Sequence, residues 1–213
     1  MDSESLRRMF TVLHLLFMFF LAPFKSKAQA GTTLPQYEVE AIREMAEQLN
    51  KKDWNFSDPA CSSKSTTDIP RADQYSNVII CKCSISATEC HIQTMVLESN
   101  LFSGTIPYEL GQLNLEVLNL NANNLTGEFP MALISLPKLT VLRISGNNFT
   151  RKMPEFGNWK QLQKLEIEGS GFNGPIPSSL SNLNKLTELR ISDLHGESSD
   201  FPDLRNMTNL DRL

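Results

Sequence analysis

Few residues in this chain have the type and spacing to do chemistry. Gly169-Ser-Gly-Phe-Asn-Gly174 follows a strand-like run with the G-x-G-x-x-G spacing of loops that cradle a diphosphate. That loop needs a helix behind it to present its N-terminus to the phosphate, and Pro175-Ile-Pro177 stands there instead. Asp200-Phe201-Pro202 lacks the glycine of a magnesium-holding D-F-G, and neither an H-R-D loop nor a Walker lysine occurs. His14, His91 and His195 are scattered. No catalytic constellation emerges, so the chain reads as a non-enzyme with no cofactor. Cys81-x-Cys83 with Cys90-His91 lacks the usual spacings of a zinc finger, so no metal site is expected. An even, clustered set of cysteines ahead of the main domain argues instead for two disulfides. Of the three possible pairings of Cys61, Cys81, Cys83 and Cys90, among which sequence does not choose, we take Cys61–Cys81 with Cys83–Cys90. Four Asn-x-Ser/Thr sequons begin at Asn55, Asn124, Asn148 and Asn206. Each is a glycan acceptor if exposed in the secretory pathway, and at least two are expected to be occupied.

The elements that position these residues repeat. Met95, Leu118, Leu142, Leu165, Leu189 and Leu213 open equivalent segments at spacings of 23, 24, 23, 24 and 24 residues. The second unit reads L-N-L-N-A-N-N-L-T-G-E-F-P from Leu118, and its neighbours carry the same skeleton. A period of 20–29 residues with the core L-x-x-L-x-L-x-x-N-x-L is a leucine-rich repeat. Leu118 and Leu120, two apart on a strand, point into the coil. Asn123 then sits at a turn whose unpaired peptide groups its amide can satisfy, rung on rung. The expected fold is an α/β leucine-rich-repeat solenoid. Short parallel strands line its concave face, the return side is irregular or 3-10, and a helical, disulfide-bonded cap closes the N-terminal end. The asparagine ladder weakens to Ser170 in the fourth unit and to Leu194 in the fifth, and Arg151 replaces the usual glycine of the third.

Three segments are expected. Residues 1–30 read as a secretory signal: Arg7 and Arg8 precede the apolar run Met9–Ala22, and Ala28-Gln29-Ala30 supplies a cleavage site. That run is too short to span a bilayer, and no later stretch is apolar enough. Residues 31–91 form the cap, with a helix over Leu34 to Asn50 that buries Val39, Ile42, Ala46 and Leu49 and exposes Glu38, Glu40, Arg43, Glu44 and Glu47. Residues 92–213 hold about five repeats and the opening strand of a sixth. The chain ends on that strand without a cap, which reads as a truncated product or gene fragment.

A charged fraction of 21% and a net charge of −4 provide no basic field for nucleic acid. What remains is a binding surface. Residues flanking the buried leucines face the concave side: Val117, Asn119 and Asn121; Val141, Arg143 and Ser145; Lys164, Glu166 and Glu168; Glu188, Arg190 and Ser192. Arg143, Glu166 and Arg190 would form one alternating-charge column, and Lys164 and Glu188 a second. Such ions either pair among themselves, contributing roughly 0.2–1 kcal/mol each, or dock a partner. Asn119, Asn121, Arg143, Lys164, Glu166, Glu168, Glu188 and Arg190 are the candidate partner-binding residues.

Several segments carry a more specific resemblance: D-W-N-F-S at 53–57, C-K-C at 81–83, C-H-I at 90–92, and L-R-I-S-D-L-H-G-E-S-S-D-F-P-D-L-R-N-M from Leu189 to Met207. With the repeats, they resemble plant leucine-rich-repeat receptor-like serine/threonine kinases whose ectodomains add a malectin-like domain. The resemblance implies an extracellular recognition module for a peptide, glycan or co-receptor protein, at the plasma membrane if the chain continues into a receptor. In that family a membrane helix and a cytoplasmic kinase follow; neither is in these residues, which also hold fewer repeats between the Gly104 and Arg143 regions. The alternatives are a free-standing secreted inhibitor or decoy, and a non-functional fragment.

Overall fold

The computed structural model describes residues 34–49, 67–69, 77–83, 90–196 and 200–213, with no side-chain description at 67–69 and 77. The expected signal segment, Cys61 and Asn55 lie outside the described residues.

Helix α1 (Gln36–Gln48) opens the described chain. Strands β1 (Thr67–Ile69), β2 (Asn77–Cys83) and β3 (Cys90–Val96) follow. The repeats add β5 (Val117–Asn119), β7 (Val141–Arg143), β9 (Lys164–Glu166) and β10 (Glu188–Arg190). One seven-stranded sheet runs in the order β1-β2-β3-β5-β7-β9-β10. From β3 onward it is parallel, and it places Met95, Leu118, Leu142, Leu165 and Leu189 opposite one another. These five side chains are fully buried, and each contributes about 1.5–3 kcal/mol relative to exposure.

Between strands the chain turns in the same way each time. Ser99, Ala122, Gly146, Gly169 and Asp193, each four residues after the strand's central apolar residue, all have φ between 52° and 60°. Three of the five are not glycine, so the turn holds its left-handed residue against a steric preference of about 1–2 kcal/mol. At Ser99 and Ala122 the next residue, Asn100 or Asn123, explains how. Asn123 Nδ2 donates to the carbonyls of Leu97, Leu120 and Asn121 at 2.8, 3.1 and 3.1 Å, and its Oδ1 accepts from the Phe102 amide. Asn147 repeats the pattern on Leu120, Ile144 and Ser145, and accepts from the Leu125 amide. Ser170 retains one bond, to the Ile167 carbonyl at 3.0 Å. The ladder weakens along the chain in the order its letters imply.

The return side differs from expectation in one respect. After each ladder residue lies a short strand, and β4 (Ser103–Gly104), β6 (Asn124–Gly127) and β8 (Asn148–Phe149) form a second, parallel sheet. Bridges from Lys152 to Asn173 and from Asn173 to His195 continue its line. Gly104, Gly127 and Arg151 end this segment at φ 96°, 80° and 73°, so Arg151 occupies a glycine's conformation. Only then come the 3-10 helices, over Tyr108–Gln112, Met131–Ser135 and Ser178–Asn182, each behind a proline. Inside, Phe149 and Phe172 stack at 5.2 Å, Phe129 meets both edge-on, and the indole N–H of Trp159 donates to the Leu133 carbonyl at 2.9 Å.

The N-terminal cap carries two further corrections. Besides the helix it contains β1 and β2; β2 pairs antiparallel with β1 on one side and with β3 on the other. Also, Glu38 is not on the solvent face: it is fully buried, while Val39 is only half-buried. Its carboxylate accepts the Ile92 amide at 2.7 Å and contacts His91 Nδ1 at 2.6 Å, tying the helix to the first repeat's strand. Cys83 and Cys90 form a disulfide across β2 and β3. Cys81 is disulfide-bonded as well; Cys61, to which we assigned it, lies outside the described residues.

Asn147→Ala strips partners from two partly buried turns at once and should cost about 2–3 kcal/mol of unfolding free energy in urea. Asn124→Ala, at an exposed position, should change stability by about 0.5 kcal/mol or less.

Candidate functional site

The concave face is built by the residues that alternate with the buried leucines, and the parallel register sets them in rows. One row runs Thr94, Val117, Val141, Lys164, Glu188, and a bridge extends it to Arg212. The next runs Val96, Asn119, Arg143, Glu166, Arg190. Glu98, Asn121, Ser145, Glu168 and Ser192 follow two positions further along each chain.

The sheet divides the eight candidates into two groups. Asn119, Glu166 and Glu188 are buried, at 5, 7 and 4% exposure, and serve to hold their neighbours. Asn121, Arg143, Lys164 and Glu168 are half-buried and Arg190 is exposed, so these five can meet a partner. The holding contacts are specific. Glu166 meets Arg143 Nε at 3.1 Å and accepts Asn121 Nδ2 at 3.0 Å. Asn119 Nδ2 donates to Glu98 at 2.7 Å. Asn121 Oδ1 accepts the Ser145 amide at 2.8 Å, and Ser145 Oγ accepts the Glu168 amide at 2.9 Å.

The expected column of Arg143, Glu166 and Arg190 is in register, but its ions are only half paired with one another. Arg143 pairs with Glu166, but Arg190 turns to Glu188 of its own strand at 3.1 Å. Glu188 also takes Lys164 at 3.3 Å, the second expected pair, and Arg212 at 3.9 Å. One buried carboxylate thus gathers three cations, while Glu166 meets Arg143 and the Asn121 amide. Burial pushes the Glu188 carboxyl up, but the hydrogen bond and charge of Lys164, with Arg190 and Arg212, outweigh it and hold it below its ordinary value. Glu98 and Arg212 were missing from the candidates, although the 23- and 24-residue steps that align the strands would have found both.

Among the described residues no group of three or more His, Cys, Asp or Glu side chains is placed to hold a metal. His91 is engaged by Glu38, and the cysteines of the zinc alternative that are described are in disulfides. Nor does a helix receive phosphate after Gly174: extended chain leads to the five-residue 3-10 helix at Ser178, and Phe172 is buried as the repeat requires. No helix among the described residues is long and apolar enough to cross a membrane.

Because the folded-state Glu188 carboxyl sits below its unfolded value, its contribution is fully present above the ordinary glutamate range and is lost as pH falls through the folded value. Urea unfolding of wild type and Glu188→Gln should therefore show a wild-type advantage near neutrality that shrinks below about pH 4. An advantage unchanged down to strong acid would contradict the assignment.

Residues 113–158 match the family described as Leucine Rich repeats (2 copies), and residues 161–183 that described as Leucine Rich Repeat. Over 145 residues, 65% of the chain, it is 51% identical to an Arabidopsis thaliana protein named as a probable LRR receptor-like serine/threonine-protein kinase, of which the match takes in 14%. The chain spans about an eighth of the length of the curated relatives it matches. The LRR ectodomain of the receptor kinase SOBIR1 from Arabidopsis thaliana shares the fold, with a TM-score of 0.62 over 84% of this chain and 92% of that one, at 20% identity. The ectodomain of the Arabidopsis receptor kinase HAESA, solved in complex with an IDA peptide hormone ligand, aligns with a TM-score of 0.55 over 83% of this chain and 32% of that one, at 25% identity. The chain carries leucine-rich repeats and resembles the leucine-rich-repeat ectodomains of plant receptor kinases.

Proposed function

We propose that this chain is an extracellular recognition module, and that it binds a peptide on the concave face of its long sheet. The observation that carries the proposal is the fixed polar face. Buried Asn119, Glu166 and Glu188 hold Asn121, Arg143, Lys164 and Arg190 in place from below, so a ligand meets groups already oriented and loses less side-chain freedom on binding. The mechanism is binding alone, with no chemistry on the partner. The likeness to HAESA, which was solved with a peptide ligand, supports a peptide ahead of a glycan or co-receptor protein.

The same proposal assigns residues 1–30 to a cleaved secretory signal, 31–91 to the cap and 92–213 to the ligand-facing repeats. It also assigns the chain to the receptor-kinase subfamily with a malectin-like ectodomain, on the segment from Leu189 to Met207. In that arrangement the kinase belongs to another part of a longer polypeptide, and the module works outside the plasma membrane.

The double variant Glu168→Ala, Arg190→Ala tests the face without orphaning a buried group, because Glu188 keeps Lys164 and Arg212. Arg143 is better left in place, since its reversal would set a second carboxylate against buried Glu166. Against extracellular peptides captured by the wild type, the double variant should bind at least about tenfold more weakly with its thermal unfolding unchanged. Equal binding by the two proteins would exclude this face.

A further inference from the structure

The ladder turns and the sequons overlap, and the overlap separates two chemically identical side chains. In Asn123-Asn124-Leu-Thr126 and Asn147-Asn148-Phe-Thr150, the first asparagine of each pair is half-buried and spends its amide on three carbonyls. The second is exposed, opens a strand of the second sheet, and is the one that satisfies Asn-x-Thr. A glycan is added before the chain folds, so the fold must afterwards leave it room, and these two positions do. We propose that Asn124 and Asn148 both carry N-linked glycans, standing one repeat apart on the flank of the second sheet.

The step transfers an oligosaccharide from a lipid-linked diphosphate donor. The asparagine Nδ2–C1 bond forms, the C1–O bond to the diphosphate breaks, the lipid diphosphate leaves, and the amide nitrogen gives one proton to the transferase and then to solvent. Nothing is oxidised or reduced. The fold gives the placement a consequence. Asn121 and Ser145, each three residues ahead of an acceptor, lie on the concave face, so both glycans border that face along the side marked by Asn121, Ser145 and Glu168. They screen the flank and leave the concave face to be entered from its other side. Asn206 is also exposed, in the turn before buried Met207 on the return side, and takes no part in this screen.

The inference rests on the secretory passage proposed above, and one experiment separates the two. The full chain is expressed in plant cells, and the product is mapped by mass spectrometry after enzymatic deglycosylation in ¹⁸O-water, which converts each occupied asparagine to labelled aspartate. Label at Asn124 and Asn148 is expected, lost at the first in Thr126→Ala, which keeps the acceptor amide, and at the second in Asn148→Gln. Secreted protein that begins after Ala30 and holds the Cys83–Cys90 disulfide but carries no label at these positions would overturn the glycan assignment alone. Protein retained in the cytosol with residues 1–30 intact would overturn both readings.

Discussion

A chain that turns every 23 or 24 residues must satisfy the peptide groups that each turn removes from the sheet, and the asparagine ladder meets that constraint. Asn123 and Asn147 each reach both their own turn and the preceding repeat, so one side chain closes the coil and sets the distance to its neighbour. The stacked leucines supply most of the free energy of burial, but burial is non-directional and sets no register. Hydrogen bonds to named carbonyls do. The row of leucines, the left-handed turn residue ahead of the ladder and the second sheet behind it are all consequences of repeating that contact.

The same register makes the concave face an ordered surface. Parallel strands bring residues 23 or 24 apart side by side, so a carboxylate in one repeat lies beside a cation in the next. Two such carboxylates, Glu166 and Glu188, are buried, and a buried carboxylate must be paired. Their pairing immobilises the cations that reach solvent above them. The conflict between a salt-bridged sheet and a docking strip therefore dissolves: the buried halves of the pairs hold, and the exposed halves present.

Much of this was legible in the letters because a repeat converts sequence distance into spatial adjacency. The period placed Leu118 over Leu142, named Asn123 and Asn147 as the turn-closing amides, and set Lys164 beside Glu188. Glu98 and Arg212 also lie on that period; the other features that escaped had no periodic signature. The second sheet consists of strands of two to four residues, too short for an alternation to register. Glu38 read as a solvent-facing acid on an amphipathic helix, because its partners His91 and the Ile92 amide lie 53 and 54 residues away. Arg190 was assigned to the neighbouring strand. Pattern gives its register, but not the choice its side chain makes between the neighbouring strand and Glu188 two residues back on its own strand.

The central claim is that ligand is held on the concave face, above the buried carboxylates. Carbodiimide footprinting of the chain, free and saturated with a captured peptide, tests it most directly by comparing carboxylates on different surfaces. Glu98 and Glu168 of the concave face should lose reactivity in the complex, while Glu128 and Glu155, away from that face, should label equally in both states. Protection of Glu128 or Glu155 with Glu98 and Glu168 unchanged would put the ligand elsewhere and contradict the account.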